Sequence, residues 1–180
     1  MSELVYVDNS NVFIEGRRVS AVTGGQAQGI FDAMNRGVVD CDYSIDFGRL
    51  HHIIAGNDED NIKRCMLFGS RPPPNDSLWD IARQAGFEVV VEDRNVRNKE
   101  KRIDTGIVAA MVKDAYTIAD KEHDTITLVA GDGDYVPSVQ MLVEEGFNVD
   151  VVFWQHASQD LKDAAAKFID LNPFLNHLRY

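Results

Sequence analysis

Five short apolar runs, at residues 3–8, 64–69, 87–92, 126–131 and 149–154, constrain this chain more than any other feature. They are rich in Val, Ile, Leu and Phe and hardly alternate with polar residues. Runs of that kind suit strands covered on both faces, as in a parallel sheet; a half-solvated antiparallel sheet leaves a period of two. Parallel neighbours need long crossovers, and the intervening stretches carry helical patterns. Pro72-Pro73-Pro74 cannot continue a strand, and Asn75 or Asp76 can cap a helix in which Leu78, Ile81, Ala82 and Ala85 share a face before Gly86 stops it. Val108, Met111, Val112, Ala115 and Ala119 give a second face over about 104 to 121. Val139, Leu142 and Val143, ended by Gly146, give a third. A fourth helix is expected from Ser158, with Leu161, Ala165 and Phe168 inward, and another over residues 43–56 before the acidic turn at 57–61. Residues 16–29, with Gly16, Gly24, Gly25 and Gly29, read as a mobile loop. The alternation predicts an α/β fold: one domain over 1–180, a three-layer α/β/α sandwich on a central, mainly parallel sheet of five or six strands.

Hydrophobic content of 44% and charged content of 26% are ordinary for a globular protein. There is no apolar stretch of about 18 residues or more, which argues against a membrane span. The start, Met1-Ser2-Glu3-Leu4-Val5-Tyr6, lacks the basic and apolar regions of a signal peptide. Cys41 and Cys65 form no spacing motif and read as reduced thiols, so a cytoplasmic location is expected. The net charge of −11 argues against tight, generic binding to nucleic acid through bulk charge. A local basic path remains: Arg94, Arg97, Lys99, Lys101 and Arg102 are five cations within nine residues, interrupted by Glu100. Such a run is either a solvated loop or a track for phosphates.

Aspartates mark the ends of two apolar runs. Asp8 closes Leu4-Val5-Tyr6-Val7, and Asp132 and Asp134 follow Ile126-Thr127-Leu128-Val129-Ala130-Gly131. Asp104 opens the second helical pattern. Ligands of open α/β sheets bind at the carboxyl ends of strands, and carboxylates gathered there repel unless a cation lies between them. Oxygen ligands with no Cys or His in the same motifs favour Mg²⁺ or Mn²⁺ over zinc. Each motif also has a plain reading. Asp8-Asn9-Ser10-Asn11 suits a turn, Asp132 another turn, and Asp134 or Asp104 a helix cap. Gly131-Asp132-Gly133-Asp134-Tyr135 lacks the third glycine of a dinucleotide fingerprint and the Lys-Ser/Thr of a Walker loop. Adjacent His51 and His52 point about 100° apart on a helix and make no two-ligand face. His123, His156 and His177 lack ligand spacing. Trp79, Phe153 and Trp154 read as core, Ser158 as a cap. Glu15 either reaches the site or points to water.

Taken together, Tyr6-Val7-Asp8-Asn9-Ser10-Asn11, the basic segment running into Ile103-Asp104-Thr105-Gly106-Ile107-Val108, and Leu128-Val129-Ala130-Gly131-Asp132-Gly133-Asp134-Tyr135 resemble the NYN domain family of PIN-like nucleases, most nearly its bacterial LabA/DUF88-type group. The resemblance runs from about residue 3 to 171. It implies a Rossmann-like PIN-type fold and a divalent-metal site of Asp8, Asp104, Asp132 and Asp134. Asn11 and Ser138 match supporting polar positions. The family's usual substrate is RNA, and the chain's acidity is its departure from that pattern.

The leading expectation is therefore a Mg²⁺- or Mn²⁺-dependent endoribonuclease, with a metal-activated water attacking the phosphodiester. Lys99, Lys101 and Arg102 would guide the RNA backbone from one rim, Arg17 and Arg18 from the other. The alternative is a binding or regulatory module on the same fold that cleaves little. A phosphatase of the haloacid dehalogenase class ranks below both, because it needs an aspartate where Ser10 stands. Homo-oligomerisation is left open by the sequence.

Overall fold

The computed structural model describes residues 2–70, 77–92 and 99–180, with side chains from 103 onward in the last stretch. Strands β1 (Ser2–Asp8), β2 (Ile62–Ser70), β3 (Glu88–Glu92), β4 (Asp124–Val129), β5 (Asn148–Phe153) and β6 (Lys167–Asp170) form one sheet in the order β3-β2-β1-β4-β5-β6. Every pairing is parallel. Around them lie α1 (Asn9–Thr23), α2 (Ile30–Arg36), α3 (Phe47–Ala55), α4 (Ser77–Gln84), α5 (Lys99–Thr117), α6 (Val136–Glu144), α7 (Gln159–Ala164) and α8 (Leu175–Leu178).

The central strands explain the missing alternation. Val5 and Val7 of β1 face a core shared with α1, α3, α4 and α8, while Leu4 and Tyr6 face another shared with α5, α6 and α7. Both faces are dry, so both sets of alternate residues are apolar. Strand order reverses between β1 and β4, and the chain leaves these two strands in opposite directions. The crevice beyond their carboxyl ends is where a fold of this kind places ligands.

Several elements differ from the sequence expectation, each for a physical reason. The 16–29 segment is helical as far as Thr23. Gly16 lies inside α1 because the Trp154 ring packs there: a Cβ would come within 2.7 Å of it. In α4 the buried residues are Trp79 (2% exposed) and Ala82, whereas Leu78 and Ile81 are 39% and 48% exposed. Trp79 sets the helix phase because its ring fills the space over Gly69, which has no side chain. Phe168 belongs to β6 and not to the helix before it, which ends at Ala164. The helix expected over 43–56 starts at Phe47, capped by the Asp46 carboxylate, which accepts from Arg49 N–H. Pro72-Pro73-Pro74 and the caps at Asn75 and Asp76 lie outside the described residues. No described helix is long and apolar enough to cross a membrane.

Candidate active site

Asp8 ends β1 and caps α1. Its Oδ1 accepts from the N–H of Asn11 (3.1 Å), the role a strand-end Asp plays when a helix follows at once. The residue is only 7% exposed. Burial, with smaller contributions from Asp104 and Asp132, pushes its carboxyl from 3.8 up to about 6, against the pull of its hydrogen bonds.

Asp104 is not the helix cap its sequence position suggests. The helix α5 starts at Lys99, which puts Asp104 in its second turn, between buried Ile103 and Ile107. Its carboxylate faces the end of β1, and one group joins it to Asp8. The hydroxyl of Tyr135 lies 3.2 Å from Asp8 Oδ2 and 3.0 Å from Asp104 Oδ1. Tyr135 is 1% exposed, and burial, followed by the charges of Asp8 and Asp104, drives its phenol far above the usual tyrosine range. It is therefore a neutral donor between two acids.

Asp132 caps the short 3-10 turn Gly133–Tyr135, accepting from Asp134 N–H (3.1 Å), and it is exposed. It stands close enough to Asp8 to raise that residue's pKa. Asp134 is also exposed. Asn11 ties the first motif to the last, but through backbone: Gly131 N–H donates to its Oδ1 (2.9 Å). Ser138 is buried and donates to the carbonyl of Tyr135 (2.8 Å), so it steadies the turn that carries the phenol.

The rim cations divide. Arg17 donates to the carbonyls of Tyr43 and Cys41, at 2.9 and 3.1 Å, and stacks on Phe13, which straps the 40–43 segment to α1. Arg18 pairs with Glu15. The side chains of Lys99, Lys101 and Arg102 lie outside those described. Glu15 turns inward and also meets His156, whose Nε2 lies 2.7 Å from its Oε2. Two residues further on, Ser158 N–H donates to Gly131 O (2.9 Å). The loops after β4 and β5 are thus fastened to each other and to α1 beside the carboxylates.

Sequence reasoning missed Tyr135 and the Glu15–His156 pair. The first had a signal: a tyrosine placed to be buried needs a partner for its hydroxyl, and the residue directly follows the aspartate motif. The second had none, because its members are separated by most of the chain.

A divalent ion fits this set in a particular way. Among the described residues no three acidic, imidazole or thiol side chains are placed to hold one ion together. Asp8 and Asp104 nonetheless converge, with Asp132 within electrostatic reach. Mg²⁺ asks for little more, since it keeps several waters and is commonly bound by one or two carboxylates plus substrate phosphates. A cleft of about 570 Å³ opens elsewhere, at the amino edge of β2 and β3, beside His51, His52 and Glu59. Its Lys63 and Arg64 are paired with Asp124, Asp114 and Glu88, so it has no chemistry to match the carboxylate edge.

The NYN domain model matches residues 4–172, which takes in all three aspartate motifs. The chain belongs to the NYN domain family. NYN domains share the PIN-like nuclease fold, and the six-stranded parallel sheet seen here is of that α/β kind. Among solved structures, a protein of unknown function from Vibrio parahaemolyticus is similar in fold: TM-score 0.66, 19% identity, covering 94% of this chain and 92% of that one. No curated protein matches the chain.

Proposed function

We propose that this NYN domain is a metal-dependent endoribonuclease acting at the carboxyl ends of β1 and β4. The observation that supports it most is the meeting of Asp8 and Asp104, from a strand end and a helix, on one buried hydroxyl at the strand-order switch point. Asp8 and Asp104 would hold Mg²⁺ or Mn²⁺, with Asp132 completing the site on the solvent side and Asp134 acting through water. The bound ion would supply Lewis acidity, acidifying water and stabilising charge that builds on phosphate oxygens. Asn11, through Gly131, keeps the Asp132 turn in place against Asp8. The segment 94–102 would guide the RNA backbone towards the carboxylates.

The test is a cleavage assay on mixed single-stranded and structured RNA with Mg²⁺, Mn²⁺ or chelator, comparing wild type with Asp104→Asn. Cleavage that needs metal and Asp104 is expected. Activity that survives both chelation and the substitution would sink the reading.

A second reading has its own observation. Asp132 and Asp134 are exposed, and the Asp132 carboxylate already serves its own turn. With a net charge of −11, that favours a regulatory module which binds nucleic acid and turns little over. RNA binding in metal with no product after long incubation would select it.

A further inference from the structure

The hydroxyl of Tyr135 has a more specific position than burial alone requires. A buried phenol needs one partner; this one lies within 3.2 Å of two carboxylates from different elements. The ring cannot move to choose between them. It is 1% exposed, packed in the core cluster with Ile103, Ile107 and Leu161. Its backbone is held as well, by Ser138 at the carbonyl and by its own N–H to Asp132 O. The phenol oxygen is thus a fixed point set by the core. Asp8 is fixed a second time by Asn11 N–H at its other oxygen. A cation approaching from solvent would meet two carboxylates already turned towards each other, with their inner oxygens engaged.

Resting on the metal-site reading above, we propose that Tyr135 is a positioning residue: its hydroxyl sets the spacing and orientation of Asp8 and Asp104 so that the two carboxylates are placed to share a divalent cation. The phenol is not itself a ligand. Its contribution is to prepay the ordering of two side chains, one of which stands on a helix whose first turn is at Lys99, close to the segment expected to meet RNA. Groups that orient metal ligands in this manner commonly change metal affinity by about 10- to 100-fold when removed.

The molecule contains its own control. Tyr6, also buried, donates to Asp114 Oδ2 (2.9 Å) further along the same helix. It makes the same kind of bond on the same pair of elements, away from the site. The experiment is Mn²⁺ titration of chelator-treated wild type, Tyr135→Phe and Tyr6→Phe, with free Mn²⁺ read by electron paramagnetic resonance. Tyr135→Phe is expected to raise the Mn²⁺ Kd by about tenfold or more, while Tyr6→Phe leaves it unchanged. A Kd within twofold of wild type in folded Tyr135→Phe overturns the proposal and leaves the metal reading standing. Equal weakening in both variants also overturns it, since that marks a general loss of structure. Wild type that takes up no Mn²⁺ overturns the metal reading and this proposal together.

Should Tyr135→Phe fail to fold, 3-fluorotyrosine at position 135 of the otherwise unaltered chain decides the matter. Its fluorine resonance is expected to shift with Mg²⁺ along the binding curve. A resonance unmoved at saturation overturns the proposal.

Discussion

Asp8 is a helix cap, a strand end and a buried acid at once, and the three roles pull against each other. Capping and the Tyr135 contact favour the carboxylate, but burial and the neighbouring aspartates outweigh them and lift the carboxyl from 3.8 to about 6. The sign of the pH effect follows. An acid whose pKa is higher in the folded chain binds its proton more tightly there, so it destabilises the fold wherever pH exceeds the unfolded value. That destabilisation is complete above pH about 6 and vanishes as pH falls towards 4; a shift of this size is on the order of 3 kcal/mol. Asn is an equally good cap and carries no charge. Asp8→Asn should therefore melt higher than wild type at pH 7 in chelator, by about 6–12 °C, with the gap closing by pH 4. The same variant should lose metal-dependent cleavage. Thermal melts of both proteins across that pH range check the first point, and a gap that does not change with pH would show that Asp8 is not the acid responsible.

Among the elements, the turn from β4 into α6 carries most of the site's geometry, and Gly131 is its tightest point. A Cβ on Gly131 would lie 2.1 Å from the ring of Phe153, which is itself buried and unable to give way. Gly131→Ala should cost about 1–3 kcal/mol by overpacking and displace Asp132 from Asp8. Gly29 is the contrast, with open space around it and extended backbone; Gly29→Ala should leave the unfolding free energy within about 0.5 kcal/mol of wild type in denaturant titrations. Similar losses from both would mean that steric crowding is not what distinguishes the turn. These elements also show what could be read from the sequence. Five strands and the α/β layering were legible because burial on both faces removes polar residues from a strand, a signal local to each run. The family motifs grouped Asp8, Asp104, Asp132 and Asp134, and of these Asp8 and Asp104 meet on the Tyr135 hydroxyl. The phase of α4 was not legible: Leu78 and Ile81 made an equally good stripe, and only the pairing of Trp79 with Gly69, on another element, excludes it. The strand β6 is four residues long and partly buried, too short for a periodic signal. Asp104 looked like a cap because helix starts are read from local residues, whereas α5 begins a turn earlier.

At the scale of the whole molecule, charge decides what can bind. A chain of net charge −11 attracts divalent cations and repels RNA in bulk. Ion binding to the native site alone should raise the melting temperature: a ligand at 100 times its Kd contributes about 2.7 kcal/mol. Scans in Mg²⁺ and Mn²⁺ should therefore climb for wild type and stay flat for Asp104→Asn; equal slopes would place the bound ions on the general acidic surface. RNA binding then depends on local cations overcoming the global field. Arg17 is committed to the carbonyls of the 40–43 segment, and Arg18 to Glu15, which shifts the burden to the segment before Asp104. Replacing Lys99, Lys101 and Arg102 together by Gln should weaken binding to all RNA sequences alike. For single strands each lost phosphate contact removes roughly 0.7 from the slope of log affinity against log salt, so the triple variant should lose about 2 if all three make contact. Its Mn²⁺ affinity should stay near that of wild type, because none of the three is a metal ligand. Salt titrations of RNA binding in Mg²⁺ give the slope directly, provided that an Asp104→Asn background prevents turnover. An unchanged slope would make the basic run a solvated loop, and the RNA would have to reach the carboxylates by a path that does not use it.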